Sequence, residues 1–140
     1  MKYIMNRKEN TIKFIFSQEE TIELVNSQRK VCNDLKDKLD KIIIVNDDID
    51  EITYDDELDK QVREWKRERE VYKRLRKIGT MTLKLTEYWE SELIKLITEN
   101  ISKKTRESIQ ETILMLIEKE LKYIYDDKRI EEVKKELNIA

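Results

Sequence analysis

Between Ser17 and Ile42 apolar residues return at three- and four-residue steps, as Ile22, Val25, Cys32, Leu35, Leu39 and Ile42. At that spacing side chains share one face of an α-helix. Ser17 and Glu20 open the stretch as a capping box, in which each side chain satisfies a backbone donor at the helix start, and Gln28 interrupts the stripe at its middle. A second stripe runs through Leu58, Val62, Trp65, Tyr72 and Leu75, with Arg69 in its seam, where an arginine must snorkel or pair. Gly79 reads as the residue that ends this helix, with Lys77 in the turn before it. Met81, Leu85, Trp89, Leu93, Ile97 and Ile101 then recur every four residues, with Tyr88 and Leu96 widening the face, which predicts a helix at the centre of the core. Asn100, Ser102 and Thr105 mark a break. Ile109, Ile113, Leu116, Ile117, Leu121 and Ile124 make a fourth stripe, and Ile130, Val133 and Leu137 a short amphipathic tail that must dock to persist. The expected helices are 17–43, 55–78, 81–101, 105–125 and 127–138.

The first sixteen residues follow another pattern. Residues 2–5 and 11–16 are short β-favouring runs around the polar NRKEN, the pattern of a hairpin with a five-residue loop. A two-stranded hairpin is marginal alone, so it must pack on the helices, extend a sheet in a second copy, or be covered by a partner. Packing on its own core is the first expectation. The predicted fold is mainly α, a four- or five-helix bundle with a short N-terminal β-hairpin, in a single domain over 1–140. Within it, 1–16 is the hairpin, 17–45 the first long helix, 46–57 an acidic loop and 58–140 the remaining helices. Whether residues 42–54 form helix, strand or loop stays open.

Composition supports this class and narrows the chemistry. The 140 residues contain no proline and one glycine, too little turn punctuation for a sheet-rich fold. The chain is 43% charged but nearly balanced at −2, with 39% hydrophobic residues, so it has the means to fold. With no histidine it lacks the usual general base and the commonest zinc ligand. One glycine excludes phosphate-binding and dinucleotide-binding loops, which need several. A single cysteine, Cys32, excludes an internal disulfide framework. Together with an N-terminus lacking an apolar segment, it leads us to expect a soluble protein of a reducing compartment, the cytoplasm. The aliphatic run Ile42 to Val45 is too short to span a bilayer. Abundant Ile and Lys beside scarce Gly, Ala and Pro suit an AT-rich genome, that of a phage, a virus, another mobile element or an AT-rich host.

The charges are segregated. Asp47, Asp48, Asp50, Glu51, Asp55, Asp56, Glu57 and Asp59 form an acidic segment, followed at once by a basic helix carrying Lys60, Arg63, Lys66, Arg67, Lys73, Arg74 and Lys77 on its outward faces. The basic face could equally be a solubilising surface with i,i+4 pairs such as Glu70 with Arg74. Asn46, Asp48, Asp50 and Glu57 match positions one, three, five and twelve of a calcium loop, but Glu51 stands where the sharp turn needs glycine. Glu20 with Glu23, and Asp56 with Asp59, repeat the E-x-x-E-like spacing of a carboxylate-only, magnesium-dependent nucleotide pyrophosphatase. The capping box already accounts for Glu20. A strand followed by a capped helix also suggests a ribbon-helix-helix DNA binder, which the unbroken pattern from Ser17 to Ile42 excludes.

No catalytic, cofactor-binding or metal residue is assigned. The expectation is a non-enzymatic protein–protein interaction module, a small regulator or inhibitor acting through its acidic and basic surfaces. The alternative is a nucleic-acid-binding regulator using the basic helix 60–77, which also resembles a nuclear-import cluster. A homodimer through the longer helices is the expected oligomer.

Overall fold

The computed structural model describes residues 1–46, 56–97 and 100–138. Elements run in the order β1 (Lys2–Asn6), β2 (Thr11–Ile15), α1 (Gln18–Asn46), α2 (Asp56–Ile78), β3 (Thr80–Lys84), α3 (Trp89–Ile94), α4 (Lys103–Met115) and α5 (Asp127–Asn138), with a π-helical turn at Leu116–Glu120 after α4. The fold is mainly helical with a small antiparallel sheet, as the patterning predicts.

The sheet has a third strand that the sequence reading placed in a helix. β3 pairs with β2 through Ile12↔Leu83, Lys13↔Thr82 and Phe14↔Met81, giving the order β1-β2-β3. The expected helix over 81–101 shrinks to six residues, Trp89–Ile94. Gly79 makes this possible by adopting φ 62 and ending α2, and its carbonyl accepts from Phe16 N at 2.9 Å. The chain therefore leaves the helix directly into a strand beside β2.

One sheet face is apolar. Ile12, Phe14, Phe16, Met81, Leu83 and Leu85 point inward and are buried, and Phe14 stacks on Trp89 of α3 with ring centroids 5.8 Å apart. Leu93, Leu96, Ile101, Ile109, Ile113, Leu116, Ile117, Leu121, Val133 and Leu137 complete the core, so its centre lies between the sheet and α3 to α5 rather than on one long helix. The π turn interrupts the helix expected over 105–125, with Leu121 N donating to Leu116 O at 2.7 Å.

α1 and α2 pack mainly on each other as an antiparallel hairpin. Only their ends near the sheet, through Leu24, Val25, Val71 and Leu75, join the core. The buried row of α1 is Leu24, Gln28 and Leu39, with Val31, Cys32 and Leu35 half-buried; Ile22, expected on that face, is 56% exposed. Gln28 sits in the seam with its amide donating to Glu68 O at 2.9 Å and to Glu68 Oε2 at 2.6 Å. It thus sets the register of α1 against α2 within one chain. Arg69, read as a seam residue, is exposed with its guanidinium over the Trp65 ring at 5.3 Å. Tyr88, expected to widen a core face, is 58% exposed.

Candidate interaction surface

The basic residues of α2 lie on a helix whose distal part projects beyond the core. Lys60, Arg63, Lys66, Arg67, Lys73, Arg74 and Lys77 are all exposed. Their internal engagements differ. Arg63 pairs with Asp59 one turn away, and Lys73 pairs with Glu70 at 3.5 Å. Arg74 donates to Thr82 O on β3 at 3.5 Å instead of forming the expected pair with Glu70. Lys60, Lys66, Arg67 and Lys77 have no ion-pair partner among the described residues. Lys60, Arg67 and Arg74 stand seven residues apart, which places them in one row along the helix, about 10 Å from one to the next.

Of the acidic set, Asp47, Asp48, Asp50, Glu51 and Asp55 lie outside the described residues, as does most of the calcium-like loop. Asp56 is the first residue of α2. Glu57 is exposed and accepts from Gln61 Nε2 at 3.3 Å, and Asp59 is engaged by Arg63. Glu57, Lys60, Gln61 and Glu64 face Leu35 and Lys38 of α1 across a shallow cleft, so both charge signs meet along the arm.

The Glu20 and Glu23 pair has structural partners. Glu20 closes the capping box, accepting from Ser17 N at 2.9 Å while Ser17 Oγ accepts from Glu20 N at 3.2 Å. Its other oxygen accepts from Ser108 Oγ of α4 at 3.3 Å, and the Met1 amino group lies 3.2 Å away. Glu23 accepts from Ser102 Oγ at 3.1 Å and Ser102 N at 3.3 Å, at the residue that caps α4. Burial alone pushes the Glu20 carboxyl up, but these donors outweigh it and hold it below its ordinary 4.5. Hydrogen bonds from Thr105 and Ser102 hold Glu23 below the same value. Among the described residues no three Cys, Asp or Glu side chains converge as a metal site.

Cys32 is half-buried in the arm, and burial together with Glu68 pushes its thiol up, away from the reactive thiolate. Among the described residues no helix is long and apolar enough to cross a membrane.

The sequence reading missed one cationic region. Lys13 and the exposed Lys2 and Lys84 stand on the outward face of three adjacent strands, among positions that carry no carboxylate. Strict alternation along 11–15 and 80–84 was the available signal, and it surfaced only once β3 was seen as a strand. No protein-family model matches the chain, and comparison with curated proteins and with solved structures gives no significant match.

Proposed function

We propose that the protein is a non-enzymatic interaction module of the cytoplasm, a small regulator or inhibitor of the kind carried by a virus, phage or mobile element. Its α1–α2 arm engages a larger protein partner. The observation that carries this is the set of cations on α2, Lys60, Lys66, Arg67 and Lys77, which stand exposed with no ion-pair partner among the described residues. Exposed charge of this kind contributes little to stability but accelerates and orients association. The basic face docks on an acidic surface of the partner, and the acidic residues 47–59 on a neighbouring basic one. Half-buried Trp65 and Tyr72 supply aromatic area beside the cations.

The test is affinity capture from the native host with mass spectrometry, run in parallel with the variant Lys60→Glu, Lys66→Glu, Arg67→Glu, Lys77→Glu. One partner retained by the wild type and lost by the variant, with the helical circular dichroism unchanged, supports the reading. A partner held equally by both removes the charged face from the argument. If no protein is captured and the purified chain hydrolyses nucleoside triphosphates with Mg²⁺, the enzyme alternative takes its place.

The row Lys60, Arg67, Arg74 favours a second occupant of the same face, a nucleic-acid backbone. That reading expects a mobility-shift complex at low ionic strength whose affinity falls steeply with salt and which the same four reversals abolish. No complex with duplex or single-stranded nucleic acid at low salt eliminates it.

A further inference from the structure

We propose that β1 is a homodimerisation edge: two copies of the chain join antiparallel through β1, centred on Ile4, into one six-stranded sheet. The proposal is independent of the charged arm and starts from the hydrogen-bond phase of the sheet. Phe16 N donates to Gly79 O and Leu85 N to Asn10 O, both at 2.9 Å, in line with the β2–β3 register. The even-numbered residues of β2 therefore turn their main-chain groups toward β3, and Thr11, Lys13 and Ile15 turn theirs toward β1. Their partners are Asn6, Ile4 and Lys2. This leaves the N–H and C=O groups of Tyr3 and Met5 directed away from the sheet, and no described residue pairs with them.

The two edges of the sheet differ. On β3 the outward carbonyl of Thr82 receives Arg74 from α2. Among the described residues none covers β1 in this way, and the strand has none of the usual guards: no proline, no bulge in its register, and its one charge at the first position. Ile4, which faces solvent in the middle of β1, is 57% exposed. The exposed Tyr123 is held near the end of the same strand by Arg7, whose Nη1 donates to its hydroxyl at 2.8 Å.

The strand is complementary to itself. In the register that overlaps all five residues, Tyr3 faces Met5 of the partner subunit and Met5 faces the partner's Tyr3. The four outward N–H and four outward C=O groups of the two strands then satisfy one another. Ile4 meets the partner's Ile4 on the two-fold axis as a close non-hydrogen-bonded pair, which covers both exposed side chains. Lys2 falls opposite Asn6 of the partner subunit, so no like charges oppose each other. Sliding the strands by two residues either way shortens the overlap. The longer helices, the dimer surface expected from the sequence, spend their seam on each other instead, through Gln28 and Glu68.

Light scattering on the full chain tests the proposal. The wild type is expected at twice the 17.1 kDa chain mass at micromolar concentration. Ile4→Lys places two ammonium groups at the axis without touching the core, and should give the 17.1 kDa species with unchanged circular dichroism. Ile4→Cys in a Cys32→Ser background should oxidise to a covalent dimer, because Cα atoms of a non-hydrogen-bonded pair lie about 4.5 Å apart, within disulfide reach. A wild type that stays monomeric, a dimer that survives Ile4→Lys, or an Ile4→Cys chain that does not crosslink each overturns the proposal.

Discussion

Gly79 decides where the chain changes from helix to strand, and it does so through its backbone angle. A side chain there would be strained at φ 62, and its Cβ would lie 2.6 Å from Thr21 Oγ1, a hydroxyl that donates to Ser17 O at 2.8 Å. Gly79→Ala should therefore lower the unfolding free energy by about 1–2 kcal/mol from the left-handed penalty alone, with more added if Thr21 must leave its bond. Urea denaturation measures this, and a midpoint equal to wild type would show that the turn relaxes freely. As the chain's one glycine, this residue was legible in the sequence as a helix end. The buried face of α1 was less so. Leu24, Gln28, Leu35 and Leu39 keep a seam spacing of four, seven and four, but the seam contains a polar residue, so the apolar series drifted to Ile22, which is exposed. A buried glutamine is recognisable only from its partner, here Glu68, forty residues away.

At the scale of elements, β3 shows why periodicity misleads over short lengths. Thr80, Met81, Thr82, Leu83, Lys84 and Leu85 alternate polar and apolar, as a half-buried strand requires, yet Met81 and Leu85 also fit a four-residue helical step into Trp89. Leu83 discriminates: it is buried, which the strand explains and the helical series skips. By contrast, the capping box at Ser17 and Glu20 was legible because both of its bonds are local. What the sequence could not reveal is that Glu20 and Glu23 also tie the start of α1 to the start of α4 through Ser108 and Ser102. Both carboxyls are held below their ordinary 4.5 in the folded chain. A depressed folded value means that their contribution to stability is complete above the unfolded value and is lost as pH falls through the folded one. Thermal melts should thus hold level just above pH 4.5 and decline below it. In the Glu20→Gln, Glu23→Gln variant that decline should be shallower; an identical acid limb would exclude these two groups as its source.

Across the whole molecule, the C-terminal helix is fastened to the core by a buried polar cluster with no signature in the sequence. Glu90 of α3 is fully buried and Arg129 of α5 nearly so, and the two form an ion pair across 39 residues of sequence. Tyr125 donates its hydroxyl to the other Glu90 oxygen, and burial, reinforced by Glu87, raises the phenol well above the ordinary tyrosine range. Arg129 further donates to Glu87 O at 3.3 Å and Ser91 Oγ at 3.2 Å and pairs with Glu132 at 3.3 Å, while Tyr88 covers its guanidinium at 4.6 Å. This gives the exposed Tyr88 a role that its place in an apolar series concealed. A buried pair costs desolvation to form, so its net contribution is small, but breaking it strands a charge. Arg129→Ala should therefore cost about 3–5 kcal/mol, because among the described residues it leaves the buried Glu90 carboxylate with Tyr125 alone. Glu90→Leu combined with Arg129→Met should recover most of that loss by replacing the pair with apolar volume. Denaturant midpoints of the single and double variants decide between the two accounts. A double variant as unstable as Arg129→Ala would mean that the cluster's hydrogen bonds to Glu87, Ser91 and Tyr125, rather than its uncompensated charge, hold α5 in place.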